Sequence, residues 1–434
     1  MRPPLRSSRV APAVLAAMVV LACGDEPEGR EETGLEALGL TDVSPRVILP
    51  GTRIQVSGRS FLDQPLGVSW LRLQGNYAGA PLDAYLPADF VDFDRMEIVA
   101  TSSLLHILGP GVGTFSGVAQ VEVDFVPDGS RHASVPLPVT LELAEHLEPV
   151  LDEVVADPTI RVNEPIEVTG AGLLLGGDEG TTYAVVEGCF APAGGDGQCL
   201  PVAAVEVPVV PALPGDREHG VFAFVPRIAG IRAGNFEGTV LLRNVHADGE
   251  ASESLPRPIA YPLAETLVAE VGDGEPARLG RYVTITGGGF VQSGDGGGTV
   301  LRFVGEYLAD DGGTVAADFE VVPEFVDGRT VRYVVNEEDA LADTLTVRDA
   351  RGTFEGTVEP IVDWGGDQVV GEATPATLRF EPVRQVVLLV WSPTYVEALR
   401  LFGLRALDAA IRQRVRQVLE RDYAGLNVDR KSTR

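Results

Sequence analysis

Two short motifs recur three times along the 434 residues, always in the same order. The first reads Ile54-Gln55-Val56-Ser57-Gly58-Arg59-Ser60-Phe61, then Ile166-Glu167-Val168-Thr169-Gly170-Ala171-Gly172-Leu173, then Val283-Thr284-Ile285-Thr286-Gly287-Gly288-Gly289-Phe290. The second reads Gly113-Thr114-Phe115-Ser116-Gly117, then Gly234-Asn235-Phe236-Glu237-Gly238, then Gly352-Thr353-Phe354-Glu355-Gly356, at steps of 121 and 118 residues. A chain carrying two markers in register three times is an array of one folding unit. Each unit is long enough to bury a core of its own.

The first motif alternates apolar and polar residues, as a strand with one buried face must. The glycine that ends it calls for a positive φ or for a close approach of another backbone. The apolar residue that follows (Phe61, Leu173, Phe290) tucks back into the core, and the phenylalanine of the second motif anchors the start of another strand. Abundant glycine (50) and proline (31) fit many short strands joined by tight turns. The expected fold class is therefore all-β: three tandem immunoglobulin-like β-sandwiches at residues 38–146, 147–266 and 267–383. Repeats 1 and 3 open on patterns that resemble the IPT/TIG family of immunoglobulin-like domains: Val43-Ser44-Pro45, Pro50-Gly51 and the first motif in one, and residues 280–290 in the other. Repeat 2 departs from the pattern, with Leu173 for the aromatic and Asn163-Glu164-Pro165 at the turn. The repeats are longer than that resemblance implies, and residues 77–93 and 191–199 read as insertions. No linker separates the repeats, so neighbours should pack end to end.

Arg2, Arg6 and Arg9 precede a short apolar run that ends Val20-Leu21-Ala22-Cys23, followed by Gly24. The positive start and short apolar core read as a secretory signal over residues 1–23. The cysteine directly after the run resembles the lipobox of bacterial lipoproteins, which implies lipidation at Cys23. Residues 24–37 are acidic, with few apolar side chains, and read as a disordered tether. The expected location is the bacterial cell envelope, lipid-anchored and facing the periplasm or the exterior. Cys189 and Cys199 flank a loop-like stretch, and an exported protein favours a local disulfide between them. A net charge of −29 repels nucleic acid and anionic headgroups.

Residues 384–434 differ from the rest. An apolar run over 386–391 suits a buried strand, Ser392-Pro393 opens a helix, and Leu407, Ile411, Val415 and Leu419 line one stripe of a second, arginine-rich helix. This strand-helix segment resembles, loosely and without a motif, the opening of secreted metalloprotease-like domains. With 33 arginines and the single Lys431 close to the end, it reads as the start of a truncated domain or as a shifted frame.

Chemistry is hard to place on this chain. His106, His132, His146, His219 and His246 form no His-Glu-x-x-His, and neither a Gly-x-Ser-x-Gly elbow nor a Walker loop occurs. No catalytic, cofactor or metal residue is assigned, and no enzyme activity is expected of the chain as it stands. Four acidic glycine loops, at residues 176–180, 272–275, 294–296 and 310–313, carry oxygen donors suited to Ca²⁺, yet none has EF-hand spacing. They read as solvated turns. Trp70, Trp364 and Trp391 read as core residues more readily than as a sugar platform. The functional expectation is a surface lipoprotein whose modules act as spacers, adhesins or binding domains for extracellular protein or carbohydrate. The alternative is the N-terminal part of a secreted or surface enzyme.

Overall fold

The structure, a computed structural model, describes residues 37–432 apart from 64–65, 110, 127–128, 196, 279, 337–338, 343–344, 348–349, 382–384 and 423–427. The signal segment, Cys23 and nearly all of the tether lie outside the described residues. In repeat 1 the strands are β1 (Gly39–Ser44), β2 (Val47–Ile48), β3 (Arg53–Arg59), β4 (Gly67–Tyr77), β5 (Ala80–Pro87), β6 (Asp89–Asp92), β7 (Arg95–Val99), β8 (Gly113–Phe125), β9 (Ser130–Ala133) and β10 (Leu137–Leu143), with helix α1 at Ser102–Leu108. They form two sheets, β1-β3-β7-β6 and β2-β10-β8-β4-β5, with β9 also on β8. All pairs are antiparallel except β2 with β10. Alternation sets the facing: Ile54 and Val56 of β3 are buried against Leu71, Leu73, Phe115 and Val121 of the other sheet.

Repeats 2 and 3 have the same plan. Their smaller sheets each hold four strands, and the central pair of each larger sheet is Gly180–Pro192 with Gly234–His246, and Gly297–Ala309 with Gly352–Trp364. Even the irregularities recur. The first strand of every repeat carries a register shift, at Leu40/Asp42, Leu151/Glu153 and Val268/Glu270. Each repeat has its own apolar core, and the architecture is an immunoglobulin-like β-sandwich repeated three times. The expected insertion at 77–93 is instead common structure, because β5 has counterparts in Leu200–Pro208 and Thr314–Val321. In repeat 2 only the hairpin turn is longer, and Cys189–Cys199 closes it with Cα atoms 5.4 Å apart.

The second motif owes its glycines to cross-strand crowding. Gly117 lies opposite Gly75, Gly238 opposite Gly188, and Gly356 opposite Gly305. A methyl group on Gly117, Gly238 or Gly356 would sit 2.2, 2.1 or 2.3 Å from a carbonyl oxygen of the facing strand. In each repeat the phenylalanine ring two residues earlier folds over the motif's glycine, its Cζ 2.8–2.9 Å from where that methyl would be. Phe115, Phe236 and Phe354 are fully buried. Each pairs across the strand with another buried aromatic: Tyr77, Phe190 or Tyr307. The aromatic pair thus fills the space that the glycine pair leaves.

The glycine ending the first motif resolves as close approach. A methyl group on Gly58, Gly170 or Gly287 would sit 2.1 Å or less from a carbonyl oxygen of the neighbouring first strand. The left-handed residue comes two positions later, at Ser60 (φ 61°), Gly172 (φ 74°) and Gly289 (φ 83°), and turns Phe61, Leu173 and Phe290 into the core.

The C-terminal piece is a separate compact unit. It spans Leu389–Leu426 and has helices Pro393–Leu401 and Asp408–Asp422, while the paired strands Gln385–Leu389 and Val428–Ser432 belong almost entirely to the unit that holds the repeats. Pro393 occupies the first turn, where no N–H partner is needed. Arg412 holds Asp408 at 2.7 Å and lies over the rings of Trp391 and Tyr395. Ile411, Val415 and Leu419 are half-buried while Arg414 and Arg416 are exposed, and Leu407 is exposed as well.

Candidate functional site

The most elaborate polar chemistry on the described residues lies where one repeat meets the next. At the joint of repeats 1 and 2, Glu179 closes the short 3-10 turn Gly177–Glu179, and the loop before β-strand His219–Ala223 brings Arg217 to it. Both are buried. The guanidinium reaches the carboxylate at 2.7 and 3.0 Å and donates to Leu173 O at 2.9 Å. It then crosses to repeat 1, where it donates to Val47 O at 3.0 Å. Thr52 of repeat 1 donates its hydroxyl to Glu179 and accepts from Leu49 N–H at 2.7 Å. A buried ion pair is tolerable only where its remaining hydrogen-bonding sites are filled, and here the filling comes partly from the other repeat. At the crossover, Asn244 Nδ2 holds Leu147 O at 2.8 Å, Leu147 N–H donates to His246 at 3.0 Å, and His146 bonds Asp248 at 2.7 Å.

The joint of repeats 2 and 3 uses equivalent loops with different residues. Asn163, held at φ 59°, donates from Nδ2 to Phe290 O and to Asp295, both at 2.9 Å. Buried Glu164 faces Arg329 at 3.6 Å, and Arg329 also pairs with Asp157. Beside them, Val162 and Ile231 of repeat 2 pack with Val291, Val362 and Val369 of repeat 3 under Trp364. Trp364 Nε1 donates to Asp295 O at 2.9 Å. Trp364 therefore serves a joint, not a domain core. Trp70 lies on the outer side of β4, half-buried, which corrects its reading as core; Trp391 is half-buried in the C-terminal unit.

The acidic glycine loops thus have roles that spacing did not reveal. Glu179 and Asp295 build the two joints. Arg281 holds Asp273 at 2.9 Å in the second loop, and Arg379 grips Asp310 at 2.6 and 3.0 Å in the fourth. Among the described residues, no three His, Cys, Asp or Glu side chains converge as metal ligands. The five histidines are scattered. His106 ends α1, His132 lies 2.8 Å from Ser130 on an exposed strand, His219 bonds Asp216, and only His146 and His246 meet, with ring centres 4.7 Å apart. The Asp248 hydrogen bond raises the His146 pKa.

Outer sheet faces carry arginines between carboxylates. Arg72 bridges Asp83 and Glu122, Arg302 bridges Asp318 and Glu359, and Arg243 bridges Glu206 and Glu253. Hydrogen bonds from Arg72 lower Asp83 to about 2. Two small hollows open to solvent. One, of about 210 Å³ at the first joint, is lined by Ser44, Arg53, Gln55, Glu97 and Pro214. The other, about 170 Å³, lies beside α1 with His106 and Glu145 on its wall.

No family profile and no curated protein matches the chain. Among solved structures, a crystal structure with xylogluco-oligosaccharide aligns over 79% of this chain at 13% identity and a TM-score of 0.18. This chain spans 60% of that chain's length. The chicken CNTN1 FN1-FN3 domains align over 80% of this chain and 99% of theirs, at 8% identity and a TM-score of 0.17. At TM-scores this low neither structure bears on the fold or the function of this chain.

Proposed function

We propose that the chain is a bacterial surface lipoprotein whose three sandwiches form a semi-rigid spacer, held to the membrane at Cys23 and presenting its loop tips to extracellular protein or carbohydrate. The observation that carries the spacer reading is the Arg217–Glu179 pair, completed by Val47 and Thr52 of the preceding repeat. A freely swinging joint would leave these buried groups without partners each time it opened, at a cost that a flexible linker avoids. The second joint supports the same reading with its own apolar cluster. IPT/TIG membership is part of the proposal and rests on the opening motifs of repeats 1 and 3.

Two measurements test it. Residual dipolar couplings of the mature chain should fit one alignment tensor across all three repeats; three independent tensors would refute the spacer. Mass spectrometry of membrane fractions should find an acylated N-terminal Cys23, and Cys23→Ser should release the protein. Release without any acyl mass on the wild type would refute the anchor.

A further inference from the structure

We propose that the outer face of the larger sheet in repeat 1 binds a neutral glycan, with Tyr85 and Trp70 as its stacking platform. The platform follows from the strand register. Tyr85 stands on β5, directly opposite Arg72 of β4. Its hydroxyl lies 3.4 Å from Glu122 Oε1, and Glu122 stands on β8. Strands β5 and β8 flank β4, so their backbones are two strand spacings, about 9–10 Å, apart. The phenol therefore reaches Glu122 by lying across β4. The Arg72 guanidinium sits 5.0 Å from the ring centre and takes one face of the ring. The opposite face is left to solvent, and Tyr85 is 39% exposed. Trp70 is its diagonal neighbour on the same side of the sheet, half-buried and opposite Pro87.

The rings have a fixed polar rim. Arg72 donates to Glu122 at 2.9 Å and twice to Asp83 at 2.8 Å, and Gln74 donates to Asp83 at 3.1 Å. Asp83 is still exposed, and each of its oxygens keeps lone-pair capacity for a ligand. A pyranose carries C–H groups on its two faces and hydroxyls around its edge. The negative face of an aromatic ring attracts the C–H groups, and fixed carboxylates and amides bind the hydroxyls. The charge on this face selects a neutral sugar. Asp83, Glu122 and Asp124 outnumber Arg72 and Arg131, which disfavours an acidic glycan. Repeat 3 shows that the arginine network needs no aromatic side chain. There Arg302 joins Asp318 and Glu359, with Val300 at the place of Trp70 and Glu320 at that of Tyr85. Repeat 2 has Tyr183 and Glu206 at these places. Both aromatics together belong to repeat 1 alone.

The proposal rests on the reading of the chain as a surface binding protein, but it puts the site on a sheet face instead of the loop tips. Titration of the mature chain with cellohexaose, xylohexaose, mannohexaose and the acidic hexagalacturonate tests it, followed by calorimetry and tryptophan fluorescence. At least one neutral hexaose should bind. Tyr85→Ala and Trp70→Ala should each weaken that binding at least about tenfold, the worth of one buried aromatic face. Tyr85→Phe, which keeps the ring, and Arg302→Ala, on the matching face of repeat 3, should bind as the wild type does. The emission change on binding should vanish in Trp70→Phe, because Trp364 serves the second joint and Trp391 the C-terminal unit. Failure of all three neutral sugars to bind would overturn the proposal, and so would tighter binding of hexagalacturonate. Binding that survives both alanine changes would assign the glycan to the loop tips, which sinks this site and leaves the broader reading standing. The dipolar couplings decide the spacer separately, whichever sugar result is obtained.

Discussion

Replacing Glu179 with alanine should weaken repeats 1 and 2 together and leave repeat 3 alone. The Glu179 side chain is 1% exposed and takes four donors: two from Arg217 at 2.7 and 3.0 Å, Leu175 N–H at 3.0 Å, and the Thr52 hydroxyl. Without it the Arg217 guanidinium stays buried with only the carbonyls of Leu173 and Val47 and the Thr52 hydroxyl as partners. Removing one member of a buried pair costs about 3–5 kcal/mol, because the other charge is left uncompensated. Hydrogen exchange of the mature chain, resolved by segment, measures this. A loss of about 3 kcal/mol lowers the protection of core amides on the order of a hundredfold. Because Thr52 and Val47 belong to repeat 1, strands β3 and β10 should lose protection along with Gly180–Pro192, while Gly352–Trp364 keeps it. The double change Glu179→Met with Arg217→Met should restore most of the loss, since an apolar pair of similar volume carries no desolvation cost. A fall below tenfold, or equal losses in all three repeats, would refute the coupling.

Three further outcomes follow from the same coordinates. Gly238→Ala, which drives a methyl to 2.1 Å from Glu187 O, should cost repeat 2 about 2–3 kcal/mol by overpacking. Gly296→Ala, left-handed (φ 81°, ψ 24°) but in open space, should cost repeat 3 about 1 kcal/mol; thermal melts giving the reverse order would contradict the crowding argument. Reducing Cys189–Cys199 should lower the stability of repeat 2 by about 2–3 kcal/mol and leave repeats 1 and 3 unchanged, as segment-resolved denaturation would show. Burial pushes the Tyr333 phenol well above its ordinary value, so its stabilising neutral form is fully kept below the ordinary tyrosine pKa and lost as pH rises through the raised one. Ultraviolet titration should therefore show its phenolate appearing only with the unfolding of repeat 3, and a phenolate in the folded repeat would be the contrary result.

The repeat was readable because its markers are backbone constraints. Any Cβ added at Gly117, Gly238 or Gly356 would lie 2.1–2.3 Å from a facing carbonyl oxygen, so these glycines stay visible while the surrounding side chains differ. The partner marker, Gly75-x-Tyr77, Gly188-x-Phe190 and Gly305-x-Tyr307, was equally present but shorter. It shows itself only once strand pairing places each glycine opposite its mate. Reading residues 77–93 as an insertion failed for a related reason. Strand β5 is an edge strand whose outward side chains lie at the surface, so its sequence is free to differ from Leu200–Pro208 and Thr314–Val321.

What the chain's own order of residues determined is the fold class, the number of units and the short-range disulfide, because alternation, glycine and local loop closure act over a few residues. What only the tertiary structure decided is the joints. Arg217 and Val47 lie 170 positions apart, and Asn163 and Asp295 lie 132 apart. A carboxylate in a glycine loop looks the same in sequence whether it faces water, a cation or an arginine. Its partner is chosen by how one sandwich stacks on the next, and that choice turned Glu179 and Asp295 from turn residues into the links of the array.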